Sequence, residues 1–252
     1  MVSGALAVVA VVVIGKTVRV SVIIPTHNEA GAIGSVLADL PSNLVTEVIV
    51  VDSNSTDGTP DIASKLGAQV IHESRRGYGR ACLTGLAAAN NPDIVVFLDG
   101  DYSDRPAELP ILLAPIIDGS ADITIGSRLG ERCIPGAMPW HAVFGNRLAA
   151  SLIRRLYGAG ITDLGPFRAA RIDVLRRLDL QETTYGWAVE MILKGALAGF
   201  RIAEVPVTYY PRIGQSKISG TVKGTVGAAR FILGLTLLYY FRHPKTGTSR
   251  VE

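Results

Sequence analysis

The chain has 252 residues, a formal net charge of +3, 48% hydrophobic residues and only 19% charged ones. So small a charge gives no argument for a nucleic-acid partner, and a mean hydropathy of +0.32 is high for a freely soluble protein, which keeps a membrane-surface role in view. The length admits one large α/β domain or two small ones.

The apolar run Ala5 to Ile14 is well short of the roughly 20 residues a spanning helix needs. No basic segment precedes it, so it does not read as a signal peptide, and residues 1–18 are taken as an apolar N-terminal extension. Arg19 to Pro25 (RVSVIIP) reads as a first strand, and Gly31 to Leu40 carries apolar residues at helical spacing. Glu47 to Asp52 is a second strand, Thr59 to Leu66 a helix closed by Gly67, and Gln69 to His72 a third strand. Gly79 to Asn90 is a helix and Ile94 to Leu98 a buried fourth strand. Asp122 to Ile125 reads as a strand, Phe144 to Leu156 as a helix, and Phe167-Arg168 as part of a Gly-Pro-bounded turn. Trp187 to Leu197 is a helix, Ile202 to Tyr210 a last strand, and a glycine-bearing loop follows to Gly220. Residues 221–252 form a basic, apolar end without an acid before Glu252. Within it FILGLTLLYYF, Phe231 to Phe241, is either an interfacial helix with basic flanks or a buried core helix.

Alternating strands and helices at this pitch predict right-handed βαβ units and a mostly parallel sheet. Ligands in such sheets bind beyond the carboxyl ends of the strands. Three polar clusters fall there: Pro25 to Glu29, Asp52 to Asp57, and Asp99 to Asp104. In the last, FLDGDYSD, three carboxylates follow a buried strand within six positions, an arrangement that calls for a cation. Asp99-Gly100-Asp101 suits Mg²⁺ or Mn²⁺ shared with ligand phosphates. Asp52 is an acceptor for a base or ribose, whereas Asp57 and Thr59 suit helix capping. Arg75, Arg76 and Arg80, set around two glycines before a helix, suit a phosphate. Cys82 and Cys133 have no metal-ligand spacing and fit free thiols in a reducing compartment.

Pro25-Thr26-His27-Asn28-Glu29, Val51-Asp52-Ser53 to Gly58-Thr59, Arg76-Gly77-Tyr78-Gly79 and Leu98-Asp99-Gly100-Asp101 occur in that order. As an ordered set they resemble the inverting family-two glycosyltransferases of GT-A fold. Gly126-Ser127-Arg128, Asp163 with Phe167-Arg168, and the Arg212 to Lys217 loop make the chain similar to the dolichol-phosphate and polyprenyl-phosphate mannosyl- and glucosyltransferase branch. The resemblance spans about Val20 to Ser219 and implies a GT-A (Rossmann-like) α/β domain over residues 19–220, followed by an amphipathic helix. It implies that Pro25, Glu29, Asp52 and Arg76 line a nucleotide-sugar pocket, with Asp99 and Asp101 holding Mg²⁺ or Mn²⁺ on the diphosphate. Arg128, Arg147 and Arg168 would face an acceptor phosphate, and Arg212, Ser216 and Lys217 would close over the donor. A catalytic set of Asp101, Arg128, Arg212 and Glu190 follows, although Glu190 serves equally well as a partner for Lys194 at i+4. Ser103 stands where the branch usually has Gln, Gly165-Pro166 replaces a Ser-Gly or Cys-Gly pair, and the paired membrane spans of longer members are missing.

The function so implied is transfer of mannose or glucose from GDP-mannose or UDP-glucose to a polyprenyl phosphate at the cytoplasmic membrane face, by an enzyme peripheral to that face. A hydroxyl acceptor on a glycan or small molecule is the alternative, and a non-catalytic sugar-nucleotide binder would have lost rim carboxylates that are all present here. A sugar-nucleotide pyrophosphorylase would carry a glycine-rich loop where Pro-Thr-His-Asn-Glu stands.

Overall fold

The computed structural model describes residues 11–13, 16–130, 132–214 and 222–242. Strands β1 (Val11–Val13) and β2 (Lys16–Val18) pair antiparallel as a short hairpin, so part of the apolar extension is folded on itself. The central sheet has seven strands: β3 (Val20–Thr26), β4 (Glu47–Asp52), β5 (Gln69–His72), β6 (Ile94–Phe97), β7 (Ile123–Ser127), β8 (Arg168–Arg171) and β9 (Ile202–Pro206). Their spatial order is β5-β4-β3-β6-β8-β7-β9. All neighbours run parallel except β8, which lies antiparallel to both β6 and β7. Arg168 thus begins a strand rather than sitting in a turn.

Three helices alternate with the first strands: α1 (Ile33–Ala38), α2 (Thr59–Lys65) and α3 (Tyr78–Ala88). A 3₁₀ turn at Pro106–Glu108 leads into α4 (Leu109–Ile117), which precedes β7. Two prolines, Pro110 and Pro115, obscure α4 in the sequence, and Pro115 inside it can donate no backbone hydrogen bond. Leu109, Leu112, Leu113 and Ile116 are nevertheless buried at i, i+3, i+4 and i+7, and that face holds the helix on the sheet. The long α5 (Trp140–Tyr157) ends at Gly158, whose left-handed φ of 75° lets its N–H reach the Arg154 carbonyl at 2.9 Å. Next come α6 (Ile172–Leu178), α7 (Trp187–Leu197) and α8 (Val222–Arg242).

Successive residues of β3 point to opposite faces, and the two cores follow that period. Ile23, Ile49, Val95 and Phe97 belong to one cluster with Trp187 and Met191 of α7. Val22, Ile24, Val50 and Val96 belong to the other, with Ile33 of α1 and Leu112 of α4. Trp187 is fully buried and meets Phe97 edge to face at 4.5 Å. Because β4 and β6 flank β3 on opposite sides, the order of strands reverses at β3. The crevice at that reversal is where open α/β sheets take ligands.

Candidate active site

Parallel register brings the strand ends into line. Thr26 pairs with Asp52 and Asp52 with His72, so the turns after β3, β4 and β5 leave the sheet side by side. The first two turns are tied by side chains. The Asn28 N–H donates to Ser55 Oγ at 2.8 Å and Asn28 Oδ1 accepts from the Thr56 N–H at 2.8 Å. Asp57 accepts from the Ala30 N–H at 3.0 Å and from the Thr59 hydroxyl at 2.5 Å, while Thr59 Oγ1 accepts the Glu29 N–H at 2.8 Å. Asp57 therefore ties two loops together and also accepts the Thr59 N–H at 3.1 Å in the first turn of α2, whose N-cap position is Gly58 at φ 83°. Pro25, near the end of β3, and Glu29, on the loop that follows, are both half-buried.

Asp52 is 3% exposed. Its Oδ2 accepts the Ser55 N–H at 3.1 Å and stands 3.8 Å from His72 Nδ1, while Oδ1 is buried with no protein partner. An orphaned carboxylate oxygen costs free energy unless something donates to it. A ribose hydroxyl or base N–H fits that requirement.

The Leu98–Asp101 turn lies against the same rim. A Cβ on Gly100 would come within 2.9 Å of Thr26 Cγ2 and 3.5 Å of Glu29 Cγ, so glycine is what lets the two loops close. Burial, reinforced by the charge of Asp101, raises the Asp99 carboxyl to about 6. Two carboxylates that repel across one residue, at the mouth of a ligand crevice, are the oxygen donors a hard divalent cation takes. Among the described residues no third His, Cys, Asp or Glu completes a metal-binding group.

Asp101, 3% exposed, is heavily engaged. It accepts from Ser103 Oγ at 2.6 Å and the Ser103 N–H at 3.0 Å, and its Oδ2 is 2.9 Å from Arg212 Nη1. Although burial alone would lower it, the Arg212 guanidinium is held above its ordinary range by Asp101. The backbone reinforces this seam: the Tyr210 N–H donates to the Ser103 carbonyl at 2.9 Å and the Ile213 N–H to the Asp101 carbonyl at 3.0 Å. Arg105 is stacked between the Tyr102 and Tyr210 rings at 4.2 and 3.7 Å. Ser216 and Lys217 lie outside the described residues.

Further along the rim, Asp163 is fully buried and grips Arg128 by three donors: the backbone N–H at 2.7 Å, Nε at 2.9 Å and Nη2 at 2.9 Å. Asn146 and the Leu164 N–H also donate to it. Burial alone would raise the Asp163 carboxyl, but Arg128 holds it below the usual carboxylate range. Asp104, 1% exposed, has neither oxygen paired. Burial pushes its carboxyl well up, and the charges of Asp99, Asp101 and Asp163 add to the effect against the pull of Arg128. The FLDGDYSD run contains Asp104, but nothing in the sequence distinguishes this unpaired buried acid from Asp101, which is equally buried but fully partnered.

Three expectations require correction. Arg168 is fully buried, and its guanidinium donates to the backbone carbonyls of Gly165 and Ala188, so it braces the sheet below the site and does not face an acceptor. Glu190, also buried, is 2.9 Å from Lys194 Nζ and accepts the Gln181 and Glu182 N–H groups and the Tyr239 hydroxyl. A carboxylate so committed is a structural anchor, not a general base. The start of α3 is not an open anion cradle either, because Gly79 and Arg80 donate their N–H groups to the Thr184 and Thr183 carbonyls at 3.0 and 2.9 Å. The glycines there serve packing: a Cβ on Gly79 would lie 2.4 Å from the Glu182 carbonyl oxygen. Arg76 remains exposed beside this turn, while Arg75 pairs with Glu73 at 3.2 Å. Arg147 is exposed on the outer side of α5.

Comparison with known proteins agrees with this fold. The model of the family described as Glycosyl transferase family 2 matches residues 21–179. An uncharacterised glycosyltransferase of Mycobacterium tuberculosis is 37% identical over 209 residues, 82% of this chain and 93% of that one. An undecaprenyl-phosphate mannosyltransferase of Micrococcus luteus is 35% identical over 224 residues, 82% of this chain and 90% of the other. Among solved structures, glucosyl-3-phosphoglycerate synthase from Mycobacterium tuberculosis, in complex with Mn²⁺, UDP-glucose and phosphoglyceric acid, superposes with a TM-score of 0.71 at 26% identity, covering 91% of this chain and 81% of that one.

Proposed function

The chain belongs to glycosyl transferase family 2, and we propose that within it the enzyme moves a hexose from a nucleotide sugar to a polyprenyl phosphate, seated on the cytoplasmic face of the membrane. The observation that carries the donor half is the crevice itself: the Leu98–Asp101 turn after β6 packs against the end of β3 and its loop, on the same rim as the orphaned Asp52 Oδ1 at the end of β4. Relatives named for undecaprenyl-phosphate and polyprenol-phosphate mannosyl transfer and for dolichyl-phosphate hexose transfer support the lipid acceptor. Among the described residues no helix is long and apolar enough to cross a membrane.

In this reading Asp52 orients the nucleoside, Pro25 and Glu29 form the wall beside it, and Arg76 lies at the outer edge. Asp99 and Asp101 would hold Mg²⁺ or Mn²⁺, which when bound would offset charge on the leaving diphosphate. Arg212, paired with Asp101 at 2.9 Å, adds positive charge at the same edge, and the family resemblance assigns Ser216 and Lys217 to the donor as well. Nε and Nη2 of Arg128 are committed to Asp163, which leaves Nη1 as the edge for an acceptor phosphate. The acceptor phosphate oxygen attacks the anomeric carbon from the face opposite the diphosphate. As the new C–O bond forms, the bond to the diphosphate oxygen breaks and takes its electron pair, which inverts the anomeric centre. A phosphate anion needs no base to remove a proton, in keeping with a Glu190 already fully bonded.

The test is transfer of labelled sugar from GDP-mannose and from UDP-glucose into butanol-extractable polyprenyl phosphate, with Mn²⁺, Mg²⁺ or EDTA, for the wild type and Asp101→Ala. Metal-dependent lipid labelling, lost in the variant, is expected with one of the two donors. Donor consumption without lipid labelling would refute the acceptor.

A further inference from the structure

The outer face of α5 has no part in the site. Trp140, Phe144 and Leu148 are 79%, 66% and 48% exposed, one turn apart along the helix. At about 100° per residue, Arg154, Arg147, Trp140, Phe144, Arg155 and Leu148 fall within an arc of about 120°. Opposite it lie the buried Ala149, Ala150, Ile153 and Tyr157. The helix is therefore seated by one side, while the other presents large apolar groups interleaved with guanidinium groups.

Helix α8 lies alongside. The Tyr157 hydroxyl donates to the Thr236 carbonyl, and the Tyr157 and Tyr240 rings meet edge to face at 6.2 Å. Phe241 is 75% exposed and Leu237 and Leu238 are more than 40% exposed. Neither α5 nor α8 contains an aspartate or glutamate. Aromatic and aliphatic side chains set among arginines, with no acid on either helix, match a bilayer interface in which phosphates lie above acyl chains.

We propose that α5 is a membrane-seating element in its own right: its Trp140–Phe144–Leu148 stripe enters the headgroup boundary of an anionic bilayer, with Arg147, Arg154 and Arg155 on the lipid phosphates. The purpose of this seating rests on the lipid-acceptor reading. Asn146, on the same helix, donates to Asp163 and so joins the docked surface to the Arg128 pair. The face that meets the bilayer and the group assigned to the acceptor phosphate are thus one rigid piece.

The chain has two tryptophans, and Trp187 is wholly buried while Trp140 is exposed. Emission changes on adding vesicles therefore report Trp140. With phosphatidylcholine vesicles carrying phosphatidylglycerol, a blue shift and protection from acrylamide are expected, and Trp140→Phe should abolish both. Phe144→Ser with Leu148→Ser should weaken vesicle co-sedimentation by about ten-fold or more, with an unchanged thermal melt showing that the variant folds. Absence of a shift with these vesicles, or co-sedimentation untouched by the double substitution, would overturn the proposal. Equal binding to pure phosphatidylcholine would overturn its anionic part. A wild-type dimer in sedimentation that the double variant converts to monomer would assign the stripe to a second copy of the chain. Transfer to a short-chain polyprenyl phosphate in detergent separates the two readings: its loss in the wild type refutes the acceptor without touching the vesicle result.

Discussion

Asp163→Asn is the substitution whose cost the structure defines best. The change is isosteric, but it removes a charge that is fully buried and replaces one acceptor oxygen by a donor amide facing the donors of Arg128. The Arg128 side chain is only 13% exposed, so water cannot replace the lost carboxylate. Removing one partner of a buried pair costs about 3–5 kcal/mol. For a domain of this size each kcal/mol moves the melting temperature by about 2–4 °C, so a fall of about 6–20 °C is expected. Thermal melts followed by circular dichroism, with urea titrations for the free energy, give the number. The cost comes from stranding a charge, so removing both charges should relieve it. Arg128→Met combined with Asp163→Leu should be more stable than Asp163→Asn alone, though inactive in transfer. A loss under about 1 kcal/mol for Asp163→Asn would refute the reasoning, since that is what a solvent-screened pair gives.

Asp99 holds its proton up to about 6, above the range near 4 of an unfolded aspartate. The native state therefore binds that proton more tightly, and the unliganded protein should lose stability as the pH rises through about 6. Asp104, raised by burial, acts in the same direction. Urea midpoints should be higher near pH 5 than near pH 7, with the difference reduced in Asp99→Asn; a midpoint that climbs with pH would count against it. Glu190→Gln should lower stability by about 1–3 kcal/mol but leave transfer per folded molecule within about two-fold, whereas a general base would lose a factor of about 10² or more. Gly79→Ala should be poorly tolerated, because its Cβ would meet the Glu182 carbonyl oxygen at 2.4 Å and Trp187 Cβ at 2.6 Å. A loss of more than about 2 kcal/mol is expected in denaturant titration, and wild-type stability would show that the 182–184 loop gives way.

Much of the sheet is legible in the sequence, because strands buried on both faces read as apolar runs closed by polar turns. Glu47–Asp52, Gln69–His72 and Trp187–Leu197 are observed at the expected bounds. The antiparallel β8 is not legible: Arg168-Ala169-Ala170-Arg171 has no β-branched residue and follows Gly165-Pro166, so local signals favour a turn. Tertiary pairing with β6 and β7 overrides them. The rim carboxylates stand out because acids rarely follow a buried strand, and Asp52, Asp99 and Asp101 lie at the same end of adjoining parallel strands. Which charges are already spent is a different matter. Arg168 and Glu190 look like any surface arginine or helical glutamate until burial and partners are known. Glycines at 77 and 79 suggest a phosphate loop, yet the carbonyls they accommodate belong to residues a hundred positions later.

The seam between Asp101–Ser103 and Tyr210–Ile213 also decides how much of this chain can be cut away. The family match ends at 179, yet β9 pairs with β7 along Ile123–Ser127, and Arg212 lies beyond β9. A fragment stopped at the family boundary would bare one edge of the sheet, leave the Asp101 and Ser103 carbonyls without their donors, and strip Asp101 of its counter-charge. The smallest excisable unit that keeps this seam therefore runs at least to Ile213, and a boundary drawn from the shared sequence alone would divide the Asp101–Arg212 pair.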